Sequence, residues 1–309
     1  MISIIICSAN KGVLDNAVKS ITGTIGVPFE VISIENSTRK YGICAAYNLG
    51  AAKANYDILC FMHEDISFDT IGWGQKVMDH LKSPAVGLIG LAGGDSKSLV
   101  PSPWASLMCF NEGNFIQHYK DPAKPPKRIY GTCSPEDLSA IKRVICIDGF
   151  WMCTRRDVFA KYRFDEKTFT GFHAYDIDYS LQVAGGYKVA VVFDILVHHY
   201  SEGKFDRTWL ENAMLVSDKW QRVLPAAVHT ISKEKLVEEQ WTTMRSFIDK
   251  MVEVGYSLPV ICRLYVKYSF KKHFYWKHFL YFFRYIFLEY LKKEEWRKEP
   301  GKFKKAADR

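Results

Sequence analysis

Residues 57–65 read DILCFMHED, and this stretch decides the fold of the first half of the chain. After Asp57 its apolar part carries no charge, which is typical of a strand buried on both faces of a parallel sheet. The strand runs directly into His63, Glu64 and Asp65. Because ligands of open α/β sheets bind beyond the carboxyl ends of the strands, the stretch predicts both a sheet and a site.

Strand-like and helix-like segments alternate around this stretch, as a parallel sheet requires. Strands are predicted over residues 2–7, 29–34, 57–62 and 86–91. Helices are predicted over residues 14–25, 44–54 and 71–81. The prolines that interrupt residues 95–143 predict irregular structure there. Regular secondary structure is predicted again over residues 144–154, 164–184 and 189–197. The predicted fold class is α/β, with a Rossmann-like, mostly parallel sheet flanked by helices.

The chain changes character after about residue 205, where apolar residues fall at helical spacing over residues 209–220 and 236–252. We therefore predict a catalytic domain over residues 1–205 and a helical, aromatic and basic C-terminal extension over residues 206–309. The last residues, 297–309, are predicted to be disordered.

The segment 265–298 combines aromatic and basic residues. Its apolar part, residues 279–291, is shorter than the roughly 20 residues that span a bilayer. Peripheral contact with a membrane is one interpretation. Packing against the catalytic domain or a second subunit is the other. No nucleic-acid partner is expected, since no recognition fold accompanies the basic residues.

Composition excludes several classes of protein. Of 309 residues, 48% are hydrophobic and 25% charged, as in globular proteins, and the formal net charge is +8. The eight cysteines show no CxxC or finger spacing, so neither a structural zinc site nor a disulfide framework is predicted. The N-terminus reads as a strand rather than a signal peptide, and we expect a reduced, cytoplasmic protein.

Polar side chains follow nearly every predicted strand, and these can bind a nucleotide or a metal. The acidic pair Glu64 and Asp65 can hold a divalent cation, which in turn neutralises a pyrophosphate. The alternative is a solvated strand end or a helix cap by Asp65. His198 or His199, at another strand end, can complete a mixed oxygen and nitrogen site, or be an ordinary hydrogen-bonded residue.

Asp176 and Asp178 form a second acidic pair, at the start of a predicted helix. One of them can project into a cleft and act as a general base if partial burial raises its pKa. Alternatively, both carboxylates only stabilise the positive end of the helix dipole.

The order of the motifs resembles that of family 2 glycosyltransferases of the GT-A fold, over roughly residues 1–205. The motifs are IIICSAN, EVISIEN, AAYNLGAA, DILCFMHED, VGLIGLAGG, IDGFWMCTRRDVF, GFHAYDIDYSLQVAGGYKVAVV and VHHYSEG. More narrowly, the chain is similar to a bacterial branch in which a His-x-Asp motif replaces Asp-x-Asp at the strand end. In this chain, the histidine and the aspartate of that motif are His63 and Asp65.

The resemblance implies a donor site for a nucleoside-diphosphate sugar, with a UDP-sugar favoured, and a divalent cation, Mn²⁺ or Mg²⁺. Asp65 would bind the metal and the diphosphate, and His198, preferred over His199, would be a further metal ligand. The remaining residues of the implied donor pocket are Ser8, Asn10, Glu35, Asn48, His63 and Glu64.

The resemblance also implies inverting transfer, with Asp176 as catalytic base and Asp178 in support. The acceptor would be a hydroxyl of a saccharide or lipid-linked saccharide. Trp104 and Trp151 would stack on a sugar ring of the acceptor, or alternatively fill the core. The implied role is surface polysaccharide synthesis, in the cytoplasm or peripherally on the inner face of the membrane.

Two other functions compete with this one. A catalytically silent nucleotide-sugar-binding or scaffold protein is the first, because His63 is atypical. A sugar-phosphate nucleotidyltransferase is the second, but it needs a glycine-rich, basic loop after the first strand, and SANKGVLDN is a poor version.

Overall fold

The computed structural model describes residues 1–105, 110–131, 141–270 and 275–298, with side chains described up to residue 293. Of the tail predicted to be disordered, residues 297–298 belong to the last helix, and residues 299–309 lie outside the described residues. The chain divides into two compact units. The first comprises Met1–Lys97, Pro103–Lys204 and Ala226–Thr230, and the second comprises Ser98–Ser102, Phe205–Pro225 and Ile231–Arg309. The predicted domain boundary after residue 205 stays a prediction.

The secondary structure of the described residues alternates early and is helical late. The strands are β1 (Ile2–Ser8), β2 (Phe29–Glu35), β3 (Ile58–Met62), β4 (Ile66–Phe68), β5 (Val86–Gly90), β6 (Ala92–Gly94), β7 (Ser96–Lys97), β8 (Asn111–Gln117), β9 (Lys127–Tyr130), β10 (Ile141–Val144), β11 (Cys146–Ile147), β12 (Trp151–Arg155), β13 (Lys188–Val192), β14 (Val197–His199) and β15 (Ala226–Ala227). The helices are α1 (Lys11–Thr24), α2 (Ile43–Lys53), α3 (Trp73–Leu81), α4 (Arg156–Lys161), α5 (Tyr175–Ala184), α6 (Arg207–Lys219), α7 (Lys233–Glu253), α8 (Leu258–Ser269) and α9 (Trp276–Lys298).

The main sheet of the first unit has seven strands among the described residues, in the order β10-β13-β5-β12-β3-β1-β2. Strands β1, β2, β3, β5 and β13 run in one direction, and only β10 and β12 are antiparallel to their neighbours. The strands are apolar and largely buried because helices cover the sheet. The predicted α/β fold class, a mostly parallel sheet flanked by helices with a helical C-terminal segment, is confirmed.

A second sheet has the strand order β11-β6-β8-β14-β4, and β9 pairs with β8. Residues 63–65 connect β3 of the first sheet to β4 of the second. The prediction of irregular structure over residues 95–143 is wrong for β7, β8 and β9, and for the first three residues of β10. Their pairing, not a period of apolar residues, makes them strands, and β8 buries Glu112 and Asn114.

Large side chains and close helix approach fill the core of the first unit. Trp73 of α3 and Trp151 of β12 are fully buried and meet edge to face, with ring centroids 6.3 Å apart. Helix α2 lies directly on β1, since a Cβ at Gly50 would overlap the side chain of Ile5. The six cysteines that the structure describes are free thiols.

The second unit is built from α6, α7, α8 and α9, together with Ser98–Ser102. Its core is formed mainly by one face of each helix, with Trp241, Phe247, Tyr265 and Ile286 buried among the packed residues. The helical spacing over residues 209–220 and 236–252 therefore corresponds to α6 and α7, as predicted.

Candidate active site

Strand register sets the first part of the site. Ile6 of β1 pairs with Met62 of β3, so Ser8 is level with Glu64, two residues further on. The Ser8 hydroxyl donates a hydrogen bond of 2.6 Å to Glu64, and the backbone N–H groups of Ala9 and Asn10 donate to the same carboxylate. Glu64 thus holds the turn between β1 and α1.

Asn10 is also committed to that turn. Its side-chain oxygen accepts hydrogen bonds from the backbone N–H groups of Gly12 and Val13, which caps helix α1. Of the residues predicted for the donor pocket, Ser8, Asn10 and Glu64 are therefore brought together, but they bind one another and shape the loop beside the strand ends.

Asp65 lies between two imidazoles. Its Oδ1 is 3.8 Å from Nδ1 of His63 and 3.9 Å from Nε2 of His199, and the ligand atoms of the three residues all lie within 4.8 Å of one another. We call His63, Asp65 and His199 the Asp65 cluster. The tertiary fold brings it together from the connection between β3 and β4, which carries His63 and Asp65, and from the end of β14, which carries His199.

The Asp65 cluster fits a divalent cation. Oδ1 of Asp65 is buried and has no hydrogen-bond partner among the described residues, a costly state for a carboxylate oxygen. The separations of 3.8 and 3.9 Å exceed hydrogen-bond length but suit two ligands that share one ion, since each ligand lies about 2.1 Å from such an ion. A carboxylate with two imidazoles suits a first-row ion such as Mn²⁺ better than Mg²⁺, which prefers oxygen ligands.

The orientation of His63 depends on Tyr175. Nε2 of His63 is 2.7 Å from the Tyr175 hydroxyl, so Nδ1 faces Asp65. Burial lowers the pKa of His63, which favours the neutral imidazole that can bind a metal. A Cβ at Gly149 would overlap the Tyr175 hydroxyl, so only glycine leaves room for this contact. Metal-binding histidines are commonly held through their second ring nitrogen in this way.

Asp176 lies one residue further along α5 and faces the turn formed by residues 148–150. Its carboxylate accepts hydrogen bonds from the backbone N–H groups of Gly149 and Ile177. Burial and, after it, the negative charge of Asp148 raise the pKa of Asp176 to about 7. Ala174 turns the chain into this position with a left-handed φ of 66°, which costs an alanine about 1 kcal/mol.

Asp148, at the start of this turn, was not among the site residues predicted from the sequence. Asp148 accepts hydrogen bonds from the Trp104 indole N–H, at 2.6 Å, and from the Phe150 backbone N–H. The ring of Phe150 stacks on His199, with centroids 4.8 Å apart. The Asp-Gly pair between two apolar runs is a turn signal that could have drawn attention to Asp148.

His198 faces away from Asp65 because neighbouring residues of a strand point to opposite faces. Its Nε2 is 3.0 Å from Asp69, and its Nδ1 is 2.8 Å from Nε2 of His118. We call Asp69, His118 and His198 the Asp69 cluster. The structure therefore places His199, rather than the predicted His198, beside Asp65.

The other predicted residues lie elsewhere. Glu35 is exposed at the end of β2, and hydrogen bonding with the Ser37 side chain, followed by that with the Ser37 backbone N–H, lowers its pKa. The Asn48 amide donates to the Phe164 carbonyl and to Glu166. Asp178 is buried and accepts a hydrogen bond from Gln182. Trp151 fills the core, which is the second of the two roles considered for it, and Trp104 is held by Asp148.

The mixed sheet thus carries a cluster of one aspartate and two imidazoles at its strand ends, beside the carboxyl group of Asp176. Residues 3–219, well over half of the chain, match the sequence profile described as "Glycosyltransferase like family". The chain belongs to this family. No curated protein sequence matches the chain.

Three solved structures are similar to the chain at low sequence identity. GalNAc-T7, crystallised with UDP, GalNAc and Mn²⁺, is 13% identical, with a TM-score of 0.48, over 84% of this chain but only 57% of its own length. The mannosyltransferase PcManGT from Pyrobaculum calidifontis, in complex with GDP-Man and Mn²⁺, is 12% identical over 96% of this chain and 88% of its own, with a TM-score of 0.44. S. aureus TarS 1-349, in complex with UDP-GlcNAc, is 10% identical over 86% and 71%, with a TM-score of 0.39.

Proposed function

We propose that the protein is an inverting, metal-assisted glycosyltransferase. It would move a sugar from a nucleoside-diphosphate donor, with UDP-sugars as the first candidates, to a hydroxyl of a saccharide or lipid-linked saccharide. The observation that carries the proposal is the presence, around one turn, of the Asp65 cluster and of Asp176, a carboxyl group with a pKa of about 7. Membership of the glycosyltransferase-like family supports the reaction type, and the resemblance of the motifs suggests a role in surface polysaccharide synthesis.

The leaving-group side of the reaction belongs to the Asp65 cluster. Asp65 and His199, with His63 held by Tyr175, would hold the divalent cation, and we propose Mn²⁺ over Mg²⁺ for this donor set. When bound, such an ion neutralises the charge that develops on a diphosphate leaving group. The ligand proposal thus moves from His198 to His199, while Asp65 keeps its place.

The acceptor side belongs to Asp176. A pKa of about 7 lets this carboxylate be ionised at neutral pH and yet accept a proton. In the proposed step, Asp176 takes the proton of the acceptor hydroxyl, and the hydroxyl oxygen forms a bond to the anomeric carbon. The bond from that carbon to the diphosphate breaks, and the electron pair leaves with the diphosphate.

One displacement at the anomeric carbon inverts its configuration. A retaining mechanism through a covalent intermediate would need a second free carboxylate. The proposal includes no nucleophile: Asp148 accepts hydrogen bonds from the Trp104 indole and the Phe150 N–H, and the carboxylate of Asp178 accepts one from Gln182. The proposed supporting role of Asp178 is accordingly structural, through the start of α5.

A thermal-shift screen tests the donor site. UDP, GDP, dTDP and CMP are each added with Mn²⁺, with Mg²⁺ and without metal. A ligand at a hundred times its dissociation constant adds about 2.7 kcal/mol of stability, and we expect one nucleoside diphosphate to stabilise the protein only with metal. If no nucleotide stabilises the protein with either ion, the donor-site proposal fails.

Donor turnover then separates an enzyme from a silent binding protein. We expect slow, metal-dependent hydrolysis of the stabilising donor sugar, measured as released nucleotide. Metal-dependent nucleotide binding without hydrolysis or transfer would instead establish the catalytically silent nucleotide-sugar-binding protein.

A further inference from the structure

Helix α9 exposes the residues that a helix in water normally hides. Its inner face packs into the core of the helical unit, with Phe282 and Ile286 buried and Phe279 and Phe283 partly so. A helix that is covered on one side by its own unit usually presents polar side chains on the other. The outer face of α9 does not follow this rule.

The outer face is apolar along its length. Its exposed apolar residues are Trp276, Leu280, Tyr281, Phe287, Leu288 and Leu291. Trp276, Leu280, Tyr281 and Leu291 keep 63%, 64%, 59% and 58% of their surface accessible. Trp276 and Leu291 are fifteen residues apart in sequence, which corresponds to about 22 Å along the helix. We call the exposed residues between Trp276 and Lys292 the outer face of α9.

The polar residues of the outer face are all cationic. They are Lys277, Arg284 and Lys292, and the described side chains of this face include no acidic group. Lys292 reaches around the helix to Glu289, at 2.7 Å. Within the described part of the chain, no ion pair is recorded for Lys277 or Arg284. The outer face thus carries positive charge interleaved with large apolar side chains.

The apolar surface continues past the start of the helix. The ring of Phe270, just after α8, and the ring of Trp276 both contact Phe279, with centroids 5.1 and 5.9 Å away. Both Phe270 and Trp276 are exposed, so the two helices share one aromatic edge. Large aromatic residues of this kind favour the boundary between lipid headgroups and acyl chains.

Helix α9 has the wrong pattern for crossing a bilayer. Among the described residues, no helix combines the length and apolar character that a membrane span needs. The charged residues are spread along α9 rather than kept to its ends. A helix with one apolar and cationic face and a second face packed on protein can lie in the plane of a membrane surface.

We propose that the outer face of α9 binds an anionic lipid surface, with the helix parallel to it. Its leucines and aromatic rings enter the headgroup region, and Lys277 and Arg284 meet lipid phosphates. The charge complementarity selects this occupant, because a hydrophobic contact with a second copy would place like charges of the two chains together. The proposal goes beyond the transferase function and does not depend on it.

Vesicle flotation tests the proposal with the full chain and no donor or metal. At low salt, we expect the protein to float with phosphatidylglycerol-containing vesicles and to stay behind with pure phosphatidylcholine. Raising the salt should weaken the binding, because the cationic contribution is screened. Failure of the wild-type chain to float with anionic vesicles at low salt would overturn the proposal.

A matched pair of double variants locates the surface. Leu280→Glu with Leu291→Glu places two charges on the outer face, and we expect the partition coefficient to fall by about tenfold or more. Leu49→Glu with Leu215→Glu changes two other exposed leucines, at 40% and 41% accessibility, and should float like the wild type. Circular dichroism and melting curves check that both variants are folded.

Two further outcomes contradict the proposal. Flotation of the Leu280 and Leu291 double variant at wild-type level would place the lipid contact elsewhere. Sedimentation of the wild type as a dimer, with that variant monomeric and neither bound to vesicles, would make a second copy of the chain the occupant.

Discussion

The Asp65 cluster and the Asp69 cluster each contain two histidines and one aspartate. Each takes one histidine from β14, where His198 and His199 are adjacent. In the Asp69 cluster, the two ring nitrogens of His198 lie 2.8 Å from Nε2 of His118 and 3.0 Å from the Asp69 carboxylate, so these polar atoms are within hydrogen-bond distance of one another. In the Asp65 cluster the distances are 3.8 and 3.9 Å, and a buried oxygen keeps no hydrogen-bond partner among the described residues.

The difference shows that residue type alone does not make a metal site. Histidines and an aspartate that reach hydrogen-bond distance have already met their polar needs, so an ion would have to displace those contacts. When second contacts hold the same groups slightly apart, a cation can complete them. In the Asp65 cluster those contacts are Tyr175 on His63 and Phe150 and Gln117 on His199. The Ser201 hydroxyl also lies 3.2 Å from Nε2 of His199, and this one contact would be exchanged for the ion.

The largest expected effect comes from substituting the aspartate of each cluster. Asp65→Ala should abolish measurable Mn²⁺ binding and lower transfer or donor hydrolysis by about 10²–10³, because it removes the oxygen ligand shared by the cluster. Asp69→Ala should change both by less than about threefold. Isothermal titration with Mn²⁺ and a turnover assay make the comparison. Equal losses in the two variants would show that the clusters are not functionally distinct.

The next effect separates two neighbouring histidines. His199→Ala should weaken Mn²⁺ binding by about 10–100-fold, the usual consequence of disturbing a metal ligand or its support. His198→Ala should leave Mn²⁺ affinity within about threefold, since that ring binds Asp69 and His118 instead. Titration of free Mn²⁺ by electron paramagnetic resonance measures both. The reverse ranking would restore His198 as the ligand.

The smallest expected effect is a shift in the pH dependence of the rate, which tests Asp176 as the base beside the Asp65 cluster. Asp176 acts as a base only when ionised, so the rate should rise with pH through its pKa of about 7. Asp148→Asn removes a negative charge that raises this pKa, so the acidic limb should move to lower pH. The ratio of the rate at about pH 6 to that at about pH 8 should increase by roughly two- to tenfold.

Trp104→Phe is the matched control for the pH experiment. It removes the indole hydrogen bond to Asp148 but leaves the charge of Asp148 in place. The limb should therefore not shift to lower pH in this variant. A limb unmoved by Asp148→Asn would mean that another group controls the rate.

Much of the fold could be predicted from local pattern. The apolar runs of β1, β3 and β5 are short, uninterrupted and followed by polar residues, so their type and their common edge were readable. Strand β8 was not, because its residues NEGNFIQ show no period, and pairing with β6, β9 and β14 makes it a strand. Sequence preference for strands depends strongly on such partners.

The site divides in the same way. Asp65 and Asp176 could be proposed from sequence because each follows or begins a recognisable element. The contact of Glu64 with Ser8 and that of Asp148 with Trp104 could not be predicted, since the partners lie far apart along the chain. Such contacts depend on strand register and on turns that no single segment encodes.

The sequence by itself determined the alternation of strands and helices, the edge at which polar residues gather, and the apolar and basic character of α9. These follow from local hydrophobic period and from the rule that carboxyl ends of parallel strands share one edge. Only the tertiary structure decided that His199 rather than His198 approaches Asp65, and that α9 turns its leucines outward. Both depend on which face an element presents to its neighbours, and packing between distant segments sets that face.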